Sequence, residues 1–204
     1  CMQSVRVIAG LGNPESRYDG TRHNIGFAAV DKLAEACSAS WKVETRMCAH
    51  TASISIAGKP VLLIKPQTFM NASSKAIGNV CRYYKWSPKS VLVVVDEFQL
   101  PLGQAKLTLK GSAGGHNGVD DIIQRFGSEF PRLRIGIAPE EPTPMKMTDY
   151  VLGKFSPEEI NTLANCWERI LTEMKLIIQR GPDLAINTIN QRILKNEPSK
   201  KSEV

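Results

Sequence analysis

One histidine, one carboxylate and three carboxamides are the side chains in this sequence whose types suit hydrolysis. His23 is a candidate general base, because an imidazole with an ordinary pKa of ~6.5 accepts a proton near neutral pH. Asp96 follows the most apolar segment of the chain, residues 91–95 (V-L-V-V-V). A carboxylate at a buried strand end can hold an imidazole in one tautomer and stabilise the imidazolium. Asn13, Asn71 and Asn117 each carry a donor and an acceptor in fixed relative orientation, which suits gripping a peptide backbone or polarising a carbonyl. The sequence has no G-x-S-x-G elbow and no serine or cysteine with a motif partner, so an activated water is preferred over a covalent intermediate.

Each of these residues also has a plainer reading. A histidine after an arginine in a loop is commonly a surface residue. Asn71 and Asn117 stand where helices begin and could be caps. Asn13 before Pro14, and Asp96 at a strand end, could be turn residues. The glycines around Ser112 lack the Walker spacing and its Lys-Ser/Thr, which excludes a phosphate loop for nucleoside triphosphates.

The elements that must position these side chains alternate between strand and helix. Residues 5–9 read as a short buried strand, ended by Gly10-Leu11-Gly12-Asn13-Pro14. Residues 25–36 carry Phe27, Val30, Leu33 and Ala34 at helical spacing. Residues 53–56 and 61–64 form a hairpin about Gly58-Lys59-Pro60. A helix opens at Asn71 and runs to about Tyr84. The strand over 91–95 should be central and end in Asp96-Glu97. A weaker strand over 105–109 leads into Gly111-Ser112-Ala113-Gly114-Gly115, and a helix follows His116-Asn117 to about Phe126. Residues 133–137 are a further strand. Ser156-Pro157-Glu158-Glu159 is a capping box with proline in the first turn. It starts one helix whose apolar face runs from Ile160 through Leu163, Trp167, Ile170 and Met174 to Ile178. That helix stops at Gly181-Pro182, and a short helix follows from Asp183.

The pattern predicts a single α/β domain over residues 4–193, with a mixed, mostly parallel twisted sheet flanked by helices on both faces. Residues 194–204 are polar and expected to be a disordered tail. At 42% hydrophobic and 23% charged residues the chain reads as globular. No apolar run approaches the ~20 residues a membrane span needs, and residues 1–4 carry no signal-peptide pattern. Five cysteines without a C-x-x-C pair argue for a reducing compartment and against a thiolate zinc site. Three histidines without an H-x-x-x-H pair argue against a protein-held catalytic metal. A formal net charge of +6 suits a polyanionic partner.

The blocks around these residues closely resemble the bacterial-type peptidyl-tRNA hydrolase family. The resemblance is carried by Gly10-Leu11-Gly12-Asn13-Pro14, Tyr18, Thr21-Arg22-His23-Asn24-Ile25-Gly26 and Lys65-Pro66-Gln67-Thr68-Phe69-Met70-Asn71. It continues in Asp96-Glu97, Pro101-Leu102-Gly103, Gly114-Gly115-His116-Asn117-Gly118, Arg132-Leu133-Arg134-Ile135-Gly136-Ile137 and Tyr150-Val151-Leu152-Gly153. The blocks run in order from Val5 to about Asn190.

The resemblance implies hydrolysis of the ester joining a peptide to the 3′ end of a tRNA, without metal or organic cofactor. It makes His23 the base and Asp96 the residue that orients it. It makes Asn13, Asn71 and Asn117 the amides at the scissile ester, with Tyr18 and Met70 lining the cleft and His116 a helper beside the base. Lys106, Arg134 and Arg22 are the expected tRNA-phosphate grips. A cytoplasmic monomer acting on peptidyl-tRNA, away from membranes, is the corresponding expectation. Val95, Phe98, Gln99, Ser74, Ala138 and Pro139 depart from the usual family residues, and Thr108 stands where a second clamping lysine is common. The main rival is a non-catalytic RNA-binding relative of the organellar splicing-factor type. A second rival is a generic carboxyl-ester or peptide hydrolase.

Overall fold

Strand residues alternate between two apolar layers. Val7, Ala9, Val91, Val93 and Val95 face one side, and Ile8, Leu92 and Val94 the other. Such two-sided burial requires cover on both faces. The computed structural model describes residues 4–196. Its strands are β1 (Val7–Gly10), β2 (Lys42–Glu44), β3 (Ala49–Ile56), β4 (Lys59–Pro66), β5 (Val91–Pro101), β6 (Ala105–Thr108) and β7 (Arg132–Ala138). They form one seven-stranded sheet in the order β2-β3-β4-β1-β5-β7-β6. The four central strands are mutually parallel, while β2, β3 and β6 add antiparallel edges.

The helices are α1 (Ile25–Ala36), α2 (Ser73–Tyr84), α3 (Asn117–Phe126), α4 (Met147–Val151), α5 (Pro157–Ala164), α6 (Trp167–Arg180) and α7 (Pro182–Asn196). Side chains of α1, α6 and α7 pack with Ile8, Leu92 and Val94. Those of α2 and α3 pack with Val7, Ala9, Val91 and Val93. The fold is therefore the single-domain α/β arrangement expected, with helices on both faces. From β1 the chain moves to β4 on one side and later to β5 on the other. Between β1 and β5 lies the topological switch, where open α/β sheets place ligand crevices beyond the carboxyl ends of their strands.

Several boundaries differ from expectation, each for a physical reason. The central strand does not stop at Asp96. β5 continues to Pro101 because β7 supplies partners as far as Pro101↔Ala138, across a register shift. Asn71 does not cap α2: it sits in a 3₁₀ turn over Met70–Ala72, and Asp121 of α3 accepts the Ser74 backbone N–H at 2.8 Å instead. The helix expected from Pro157 to Gly181-Pro182 is two helices, broken at Asn165-Cys166. The break brings Cys166 against Gly103, where an added Cβ would meet its sulfur. Ile160, expected on the buried stripe, is 57% exposed. The capping box at Ser156 is present, with Glu159 closing it. The last helix is not short, because Asn190 pairs its carboxamide with both backbone groups of Leu107 on the edge strand β6. The short edge strand β2 and the helix α4 had no sequence signal of their own. Residues 197–204 of the expected tail lie outside the described residues.

The close fit of α1 to the sheet depends on Gly26. A Cβ there would lie 2.4 Å from the Val94 carbonyl oxygen and 2.6 Å from backbone atoms of Leu11. Gly26→Ala is expected to cost about 1–3 kcal/mol through overpacking, read as a lower urea midpoint. An unchanged midpoint would contradict this packing.

Candidate active site

β5 outruns β1, which pairs with it only as far as Gly10↔Val94, so Asp96 projects just beyond the end of β1. Its side chain is 4% exposed and sits between two imidazoles. His23 Nδ1 lies 2.9 and 3.0 Å from the two carboxylate oxygens, and His116 Nε2 lies 2.8 Å from Oδ1. The two rings are 4.9 Å apart and tilted by 48°. Burial by itself would raise the Asp96 pKa. The electrostatic pull of the His116 ring and the hydrogen bonds from both rings outweigh it and hold the carboxyl well below the usual range, so it remains ionised.

Hydrogen-bond bookkeeping fixes both tautomers. His116 Nδ1 accepts the backbone N–H groups of Gly118 and Val119 as the N-cap of α3, so its proton sits on Nε2 and is donated to Asp96. His23 donates from Nδ1 to the same carboxylate, leaving the Nε2 lone pair with no protein partner among the described residues. That nitrogen is free to accept a proton from the groove side. The reading of His23 as a surface side chain fails: the residue is 8% exposed. The helix cap is His116, not Asn117.

The three asparagines converge on the same place in different states. Asn13 is buried, and its Oδ1 accepts the Met70 N–H at 2.8 Å, so the amide NH₂ is left to face the groove. Asn24 holds the Asn13 backbone from both sides, accepting its N–H at 2.8 Å and donating to its carbonyl at 3.0 Å. Sequence reasoning placed Asn24 in the right cluster and gave it no role. Its pairing with Asn13 spans 11 positions and has no local signature. Asn71 and Asn117 are exposed. Asn13, Tyr18, His23, Met70, Asn71 and Asn117 share the lining of one groove of about 330 Å³. Its remaining wall is Phe69 with Thr148, Val151 and Leu152, the last three supplied by α4 and the residue after it. A smaller depression of about 70 Å³ on the other side of His23 is lined by Glu97, Phe98, Gln99 and His116 among others.

The basic residues expected to hold phosphate are not equally available. Arg22 forms a fork with Glu159 (2.7 and 3.2 Å), donates to the Tyr150 carbonyl and stacks over the Tyr150 ring at 4.1 Å. It is thereby committed to joining the His23 segment to α4 and α5. Arg134 gives both Nε and Nη2 to Glu97 at 2.9 and 2.7 Å, so its charge is largely neutralised. Lys106 is exposed, lies opposite Arg134 across the β6–β7 ladder, and has no ion pair among the described residues.

His23, Asp96 and His116 also have the composition of a metal site, with ligand atoms within 4.8 Å of one another. The proton arrangement opposes that use. A metal on His116 Nε2 would displace the proton given to Asp96 and demand one on Nδ1, which already accepts two backbone N–H groups. The cluster is built to hold protons.

The family model described as "Peptidyl-tRNA hydrolase" matches residues 7–198. Curated peptidyl-tRNA hydrolases from Gloeobacter violaceus and Aquifex aeolicus are 40% and 41% identical, covering 95% and 93% of this chain and 98% of each relative. A crystal structure of peptidyl-tRNA hydrolase from Acinetobacter baumannii is similar with a TM-score of 0.84 and 34% identity, over 93% of this chain and 96% of that one.

Removing the Asn24 carboxamide orphans a buried backbone donor and acceptor. Asn24→Ala is expected to cost about 1–3 kcal/mol in stability and to lower turnover through a misplaced Asn13. Chemical denaturation and steady-state kinetics measure the two effects. Turnover equal to wild type would mean Asn24 does not position Asn13.

Proposed function

The chain belongs to the peptidyl-tRNA hydrolase family, and on that premise we propose that it cleaves the ester between a peptide and the 3′ end of a tRNA with a water deprotonated by His23. The observation that carries the mechanism is the proton order at Asp96. Two donated N–H groups leave one lone pair, on His23 Nε2, at the wall of a groove lined with carboxamides.

Water attacks the ester carbonyl as its proton passes to Nε2. Ionised Asp96 stabilises the resulting imidazolium, which then protonates the departing ribose oxygen. Such a base contributes typically ~10²–10⁴-fold in rate. The Asn13 NH₂, fixed by the Met70 N–H on its oxygen side, donates to the developing oxyanion, a contact of a kind worth ~10²–10³-fold. Asn71 and Asn117 hold the peptide backbone, so side chains near the ester are not read. Tyr18, Phe69 and Met70 supply apolar walls.

Lys106 is the favoured phosphate contact, with Arg134 shielded behind Glu97. Every group in this scheme comes from one chain, which supports action as a monomer. Unpaired cysteines support a reducing, cytoplasmic setting, and no helix among the described residues is long and apolar enough to cross a membrane. An RNA-binding role without chemistry has no need of a buried carboxylate that fixes two imidazole tautomers, so hydrolysis is favoured over that reading.

Release of labelled peptide from peptidyl-tRNA, with His23→Ala as the inactive control, tests the activity. Asp96→Asn should lower kcat by about 10³–10⁴-fold with little change in KM, because an amide NH₂ facing His23 forces the wrong tautomer. A loss under tenfold would remove Asp96 from the mechanism. Lys106→Ala should raise KM with kcat nearly unchanged and reduce the salt slope of tRNA binding by about one. A slope equal to wild type would mean that Lys106 meets no phosphate.

A further inference from the structure

A second depression, of about 560 Å³, lies behind the loop that carries Asn13 and Tyr18. Neither the base nor the three groove asparagines line it. Its position relative to the groove is set by neighbouring residues in the chain. Asn13 and Tyr18 line the groove, while Pro14 and Asp19, the next residue in each case, line the depression. Gln67 lies in the depression and Phe69 in the groove. This loop, bonded to residues 153–155 through Gly20 and Arg22, is the ridge that separates the two spaces.

Part of the lining is apolar. Phe155, Ile160, Leu163 and Trp167 form one wall, with Leu163 buried and Ile160 leaving more than half its surface in water. The charged groups oppose nucleic acid. Asp19 is exposed, and Asp31 neutralises Lys65 at 2.7 Å. Burial and the Lys65 charge both lower the pKa of His50, which disfavours its cationic form. No basic side chain on this wall is free to meet a phosphate.

We propose that this depression is a subsite for the peptide moiety of peptidyl-tRNA, receiving bulky apolar side chains a few residues upstream of the ester. The inference rests on the hydrolase reading above. An extended peptide advances at most 3.3–3.6 Å per residue, so a single residue stays beside the ester and only a longer peptide can pass beyond the ridge. Close to the ester, the enzyme grips backbone and ignores side chains. Farther upstream, it gains affinity from apolar ones. Specificity is thus set by peptide length and remote hydrophobicity.

The test compares one tRNA carrying N-acetyl-glycine, or an N-acetylated pentapeptide with either Phe or Gly at its two N-terminal positions. Wild-type kcat/KM should be three- to tenfold higher for the Phe pentapeptide than for the Gly one. Ile160→Asp, an exposed change on α5, and Trp167→Ala should each abolish that difference while cleavage of N-acetyl-glycyl-tRNA stays at the wild-type rate. A difference that persists in both variants, or that wild type never displays, overturns the subsite. Failure of wild type to cleave any of the three substrates overturns instead the hydrolase reading on which the subsite rests.

Discussion

A buried carboxylate shared between two imidazoles is the constraint on which the rest of the site depends. An isolated ionised carboxylate in that position would cost several kcal/mol. Asp96 is kept charged because each ring offers it an N–H, and charge-assisted hydrogen bonds of this kind are about twice as strong as neutral ones. The arrangement is stable only in one proton order, because the cap of α3 consumes the other nitrogen of His116. A structural demand, satisfying the first N–H groups of a helix, thereby settles a chemical question: which nitrogen near the carboxylate can take a proton from water.

The sheet delivers these groups by length and order. β1 ends at Gly10 while β5 continues, so the chain after β1 passes over the crevice, setting Asn13 in the groove wall and His23 beside Asp96. The loop lies flat because Gly10 and Gly26 allow backbone to approach backbone within the space of a side chain. Asn24 then ties the two ends of the loop together, and Asn13 in turn holds the start of the Met70–Ala72 turn. These bonds fix which end of the Asn13 amide faces the groove. The same loop forms the ridge between the groove and the apolar depression behind it, so one segment shapes both ends of the peptide path.

Charge tells a similar story of prior commitment. Arg22 and Arg134 both carry the expected charge in the expected segments, yet each is held by a glutamate, one on α5 and one on β5. Arg22 works as a brace: with Glu159, which also closes the α5 capping box, it fixes the wall that α4 presents to the groove. Positive charge in the sequence therefore overstates the positive surface offered to RNA near the site.

The sequence by itself determined the α/β class and the span of most helices and strands, and it singled out the candidate base, its carboxylate and the three asparagines. Periodicity, turn residues and long family-like blocks are local in the chain, and local order is what a sequence displays. It did not determine the break at Asn165-Cys166, the extension of β5, or the non-capping role of Asn71, since each depends on a partner strand or helix supplied from elsewhere. Nor could it tell that His116 shares Asp96 with His23, that Asn24 locks Asn13, or that Arg22 and Arg134 are already paired. His23 and Asp96 stand 73 positions apart, and Arg22 and Glu159 stand 137 apart. Only the folded chain brings them within hydrogen-bond range, and only then does each donor and acceptor acquire the partner that decides whether it is free to act.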